Sequence, residues 1–178
     1  MGILSINLIG VRKLSMYNFK QYLEEGRDAP LFHGTGNRAA DLILKENVMK
    51  PLTIQMISGK SVAGTSLSRS FKFAEYFGGG ITFELDQRKL TQRNKIVPFS
   101  YWNSDKQARG MGADNPNNEY EEFVIGEIKN LDRCIIKIYM NQYNEAEINR
   151  NKNIELYYPT LFSHPLLWST KNKRFINQ

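Results

Sequence analysis

Leu31-Phe32-His33-Gly34-Thr35-Gly36, followed without a break by Asn37–Glu46 (NRAADLILKE), is the stretch from which the rest of the chain is read. The first half is a short apolar strand that ends in a histidine and a glycine-rich turn. The second half is a helix: Ala40, Ile43 and Leu44 recur at helical spacing, Asn37 is placed to cap it, and Pro51 blocks any continuation beyond Asn47. A histidine at a strand end beside a glycine puts an imidazole next to bare backbone. That pairing suits a ligand with hydroxyl and flat amide groups.

Working outward, Ser15–Glu25 has the pattern of a short helix closed by Gly26. Downstream, Thr65-Ser66-Leu67-Ser68 is a strand end, Ser70–Phe77 a helix capped by Ser70, and Gly78-Gly79-Gly80 a flexible exit. Ile81–Leu85 alternates apolar and polar residues, as a half-buried strand does. Further strands are expected at Ile96–Phe99, Glu122–Ile125 and Cys134–Met140, with a polar, Gly/Asn/Asp-rich loop from Ser104 to Asn118. Ile148–Leu156 reads as helix or coil. No βαβ alternation and no spaced glycine fingerprint of the Rossmann or P-loop kind is present. The expected class is α+β: one domain over residues 1–178, with a mainly antiparallel sheet and short flanking helices.

The composition agrees with a folded domain: of 178 residues, 41% are hydrophobic and 24% charged, so disorder is not expected. The single cysteine, Cys134, lies in an apolar run and reads as a buried thiol. It excludes an internal disulfide and points to a reducing compartment. No stretch is apolar for long enough to span a bilayer, and the start lacks a basic leader, a cleavage site or a myristoylation pattern, so a cytoplasmic protein is expected. The net charge of +6 is compatible with a polyanionic partner, although the basic residues are scattered. Lys171, Lys173 and Arg174 form the nearest approach to a cluster and read as a solvated tail.

Three separated segments carry chemistry. His33 and Gly34, with Thr35, form the first. In the second, Gly64–Ser70, alternation places Ser66 and Ser68 on one strand face, with cationic Arg69 beside them and Tyr76 on the next helix. The bland reading has the serines capping a helix and Tyr76 and Phe77 in the core. The third is Asn118–Ile125, where Glu119, Glu121 and Glu122 stand at the mouth of an apolar strand. One carboxylate held there can stabilise developing positive charge.

In their order these segments resemble the ADP-ribosyltransferase superfamily, and in particular its poly(ADP-ribose) polymerase branch and small prokaryotic or bacteriophage relatives. Leu31–Thr35 matches that branch's L-F-H-G-T string. Phe73-Ala74-Glu75-Tyr76 is similar to its S-A-x-Y helix, with Phe73 in the serine's place. Glu122-Phe123-Val124-Ile125 is similar to its catalytic strand opening. The resemblance covers roughly residues 30 to 140. It implies a split, mainly antiparallel sheet with an NAD⁺ cleft between the halves, NAD⁺ as substrate and no metal. It implies Glu122 as the catalytic carboxylate and His33 on the adenosine ribose. Gly34 and Thr35 would lie at the carboxamide, Ser66 and Ser68 at the nicotinamide end, Tyr76 stacked on the nicotinamide ring, and Arg69 on the pyrophosphate. Ser66 stands where the polymerase branch has a tyrosine, which is closer to the toxin-like serine motif and implies transfer of a single unit. Glu119-Tyr120-Glu121 also fits the E-x-E of those toxins, so Glu121 is the alternative carboxylate.

The implied activity is mono-ADP-ribosylation of a macromolecular acceptor, nucleic acid or protein, chosen by the Ser104–Asn118 loop. In a viral setting it would act in the host cytoplasm. Two other readings use the same residues: an NAD⁺-dependent RNA 2′-phosphotransferase, which needs a basic pocket where only Arg69 is placed, and a binding module that kept the fold without catalysis.

Overall fold

A computed structural model describes residues 29–55, 61–98, 121–142, 144, 146, 150 and 153–177. The expected Ser15–Glu25 helix and Ser104–Asn118 loop lie outside the described residues, as does Glu119. In chain order the elements are β1 (Leu31–Thr35), α1 (Asn37–Glu46), β2 (Val48–Met49), β3 (Leu52–Gln55), β4 (Ser61–Ser68), α2 (Phe71–Phe77), β5 (Ile81–Leu85), α3 (Gln87–Thr91), β6 (Ile96–Pro98), β7 (Glu121–Ile125), β8 (Ile128–Lys129), a 3₁₀ turn (Leu131–Arg133), β9 (Ile135–Met140), α4 (Ile154–Tyr157), α5 (Pro159–Phe162), β10 (Leu167–Ser169) and β11 (Arg174–Phe175). The expected class holds: short helices flank a mainly antiparallel sheet.

That sheet has nine strands, ordered β11-β10-β9-β5-β1-β4-β7-β6, with β3 also paired to β4. Its middle is a weak seam. β1 and β4 share one ladder pair, Phe32 opposite Ser68. On either side the ladders are full: five pairs join β1 to β5 and five join β4 to β7. One strand pair, β9 and β10, is parallel, and α4 and α5 lie in the connection between them. This crossover was not expected from the sequence: α4 and α5 are four residues each and carry no periodicity long enough to read.

Residues directly opposite in an antiparallel ladder share a sheet face, and neighbours along a strand alternate. Leu31, Leu67, Phe83, Leu85, Val124 and Ile138 therefore point to one side, where they form the core with Ala40 of α1, Leu90 of α3, Ile154 of α4, and Leu161 and Phe162 of α5. Among the described helices, only α2 packs on the opposite face. Phe71 there meets Phe32 and Tyr139 edge to face, at 5.6 and 4.8 Å between ring centroids. Cys134 is buried as expected, and burial pushes its thiol up from its ordinary pKa, so it stays protonated.

Capping of α1 departs from the sequence reading. Gly36, not Asn37, holds the N-cap position, and no side chain caps that end. Asn37 is the first helical residue, and its Oδ1 accepts from Asn144 Nδ2 at 2.6 Å. Asn47 closes the other end with φ at 56°, a left-handed conformation that asparagine tolerates. Its amide exchanges two hydrogen bonds with Asp132, each 2.8 Å, and so ties α1 to the turn before β9.

Candidate functional site

The three segments named from the sequence fall on three neighbouring strands, β1, β4 and β7, at the seam. His33 sits one residue beyond the single Phe32–Ser68 pair. It is half-buried, and its Nδ1–H donates to the Ser66 carbonyl across the seam at 3.0 Å. A carbonyl only accepts, so this bond fixes the tautomer. Burial pulls the His33 pKa below its ordinary value of 6.5, against the opposing pull of the Ser66 bond. The ring is then neutral near pH 7, with Nε2 left as an acceptor. Nearby on β4, Thr65 Oγ1 is buried with no hydrogen-bond partner among the described residues.

Gly34 has a packing reason to be glycine. A Cβ there would lie 1.7 Å from the Ala74 carbonyl oxygen and 2.7 Å from Gly78 Cα. The missing side chain lets the backbone of α2 rest directly on β1. Thr35, half-buried, is the last residue of β1.

Glu122, expected as the catalytic carboxylate at the strand mouth, lies in a buried environment. Glu122 is 2% exposed and faces the core side of the sheet, opposite Leu67. Its Oε1 accepts from Arg69 Nε at 2.7 Å, and the Arg69 guanidinium also donates to Gln87 Oε1 at 3.1 Å. Arg69 is thus turned inward, 11% exposed along its side chain, and not out towards a pyrophosphate. The apolar run that begins at Glu122 signals the start of the strand. It does not distinguish a carboxylate facing a ligand from one held by a buried guanidinium. Gln87, which completes the cluster, carries no sequence signal.

By register, the position of Glu121 is opposite Ser68, with Ser66 two residues back along β4. Ser66, Ser68 and the Glu121 position belong to the face opposite the core. Ser68 Oγ accepts from the Ser70 backbone N–H at 3.0 Å, while Ser70 occupies the N-cap of α2 without a side-chain cap bond. Tyr76 and Phe77 are 81% and 68% exposed, their rings paired edge to face at 5.1 Å, so the core placement weighed for them is wrong. Seven residues make two turns, and Ala74 already occupies the face that meets the sheet.

A cavity of about 510 Å³ opens where β1 passes into α1, lined by Gly36, Asn37, Arg38, Leu42, Gly79, Asn144 and Tyr158 among others. That volume is in the usual range for small-molecule sites. Uncapped first-turn N–H groups and Arg38 border it, which suits an anion. Arg38 and Asn144 went unremarked in the sequence, since neither belongs to a recognisable spacing.

Among the described residues, no three His, Cys, Asp or Glu side chains converge as metal ligands would, and no helix is long and apolar enough to cross a membrane. No family model, curated protein or solved structure matches this chain.

Proposed function

We propose that this protein is a mono-ADP-ribosyltransferase: it binds NAD⁺ at the β1–β4 seam, breaks the bond between nicotinamide and ribose, and joins ADP-ribose to a macromolecular acceptor. The observation that carries the reading is the seam itself. Three sequence-distant segments, each similar to a part of one NAD⁺ site, meet on adjacent strands at the place where the sheet's ladder is reduced to one pair.

The reaction needs a negative charge near a ribose that develops oxocarbenium character. A carboxylate already neutralised by a buried guanidinium supplies little of it, so we assign this role to Glu121, opposite Ser68, and give Glu122 the task of anchoring β7 through Arg69. His33 lies on the other face of the sheet, opposite Phe83, and serves the site by holding β4 through its bond to the Ser66 carbonyl. Exposed Tyr76 provides an aromatic face for the nicotinamide ring. The cavity at the start of α1, with Arg38 and the helix N–H groups, takes the pyrophosphate end in place of Arg69. The C1′–N bond breaks with its electron pair leaving on nicotinamide. The acceptor atom then bonds to C1′ and gives up its proton to the Glu121 carboxylate.

Incubation with NAD⁺ labelled in the adenylate, with nucleic acid and protein offered as acceptors, tests the reading. Label on a macromolecule with equimolar free nicotinamide supports it. Absence of both nicotinamide release and label transfer with every acceptor overturns it.

A further inference from the structure

The face of the sheet opposite the core carries a second cluster, well away from the seam. Trp168 on β10 lies beside Tyr139 on β9 and opposite Phe175 on β11, so the three rings share that face. Trp168 and Phe175 meet edge to face at 4.9 Å. Lys137 Nζ stands among them, 4.5 Å from the Trp168 ring centre, 5.4 Å from Tyr139 and 5.8 Å from Phe175. All four side chains are half-exposed. The turn joining β10 to β11 adds Lys171 and Lys173, while Arg174 on β11, opposite buried Ser169, belongs to the other face. The expectation of a solvated tail for these three cations is therefore replaced by a closed hairpin, with Lys173 N–H bonded to the Ser169 carbonyl at 2.9 Å.

The charge here is one-sided. From Leu156 to Gln178 the sequence holds no aspartate or glutamate. Glu84 lies on this face opposite Lys137, and its carboxylate accepts from the Tyr139 hydroxyl at 2.6 Å. Half-exposed rings on a sheet face, interleaved with cations, match what an unpaired polynucleotide presents: flat bases to stack and phosphates to neutralise. A protein acceptor offers no comparable run of flat groups, and duplex nucleic acid keeps its bases stacked on one another.

We infer that the Trp168–Phe175–Tyr139 face, with Lys137 among its rings and Lys171 and Lys173 in the adjoining turn, binds single-stranded nucleic acid, and that this strand is the acceptor presented to the seam. The second half of the inference rests on the proposed transferase activity; the first does not. The geometry allows both. Ser66, Ser68 and the Glu121 position lie on the same sheet face as Trp168, and β4 is separated from β10 by four inter-strand steps, or roughly 20 Å. A polymer spans that distance, with exposed Tyr76 and Phe77 of α2 in between.

The experiment is fluorescence anisotropy of a labelled 12-nucleotide oligothymidylate with the full chain at two salt concentrations. Binding that weakens as salt rises, and by about fivefold or more in Trp168→Ala but little in Trp168→Phe, is expected. Lys137→Gln, which removes the cation among the rings and leaves every ring in place, should weaken it as well. No binding overturns the inference. So does binding lost in Lys137→Gln but indifferent to Trp168→Ala, equal affinity for a duplex of the same length, or equal affinity for a polyglutamate peptide. Because no NAD⁺ is present, failure of the transferase reading leaves these outcomes unchanged. If oligothymidylate binds but never receives label from NAD⁺, only its role as acceptor falls.

Discussion

Arg69 and Glu122 form a buried ion pair, Nε to Oε1 at 2.7 Å, that joins the end of β4 to the start of β7. Removing one partner strands the other charge away from water, which costs about 3–5 kcal/mol. Glu122→Ala should therefore unfold at much lower denaturant, while nicotinamide release per folded molecule survives.

Glu121→Gln is the opposite case. We expect unfolding near that of the parent protein and a fall in nicotinamide release of ~100-fold or more, because the lost charge acts mainly in the transition state. Measuring both quantities in both variants decides between the two carboxylates. An inactive, stable Glu122→Gln beside a fully active Glu121→Gln would return the catalytic role to Glu122.

His33 makes stability depend on pH. Its folded pKa lies below its unfolded value of 6.5, so the unfolded chain binds the proton more readily. The stability due to the buried neutral ring is present above pH 6.5. It is lost as pH falls from there towards the depressed folded value. Urea unfolding at pH 7.5 and 5.5 should show this loss, and His33→Gln should reduce it. A remainder is expected, because burial also lowers the pKa of His164.

Gly34→Ala tests the contact between β1 and α2. The new methyl meets the Ala74 carbonyl oxygen and Gly78 Cα, both backbone atoms with no side chain to swing aside. The helix has to move, and a loss of about 1–3 kcal/mol, read from denaturant midpoints, is expected. Gly36→Ala is the control, since a Cβ at Gly36 meets nothing within 4 Å.

On the proposed transferase reading, Ser66 in the place of the polymerase branch's tyrosine predicts a product of one ADP-ribose unit per site. Mass spectrometry of the modified acceptor checks this: a single mass addition is expected, and a ladder at one site would refute it.

Local pattern carried much of the architecture. Leu31–Thr35, Asn37–Glu46, Phe71–Phe77 and Ile81–Leu85 are legible because their periodicity and flanking glycines act within a few residues. The cap of α1 was misread by one position because glycine and asparagine both suit that site, and Asn37 is held instead by Asn144, 107 residues away. The orientation of Glu122 was illegible for a similar reason: alternation says that Glu121 and Glu122 face opposite ways, but only the ladder to β4 says which way each faces. Strands as short as Leu167–Ser169 and Arg174–Phe175 are defined by their partners and carry little pattern of their own.

The seam between β1 and β4 has a mechanical meaning. A single ladder pair is a poor seal, yet among the described strands the chain crosses that line four times: from β1 to β3, from β4 to β5, from β5 to β6 and from β7 to β9. Neither half-sheet is a continuous piece of polypeptide, so neither can be excised as a fragment or inherited alone. The molecule is stitched across its narrowest join and cannot come apart there without unfolding both halves.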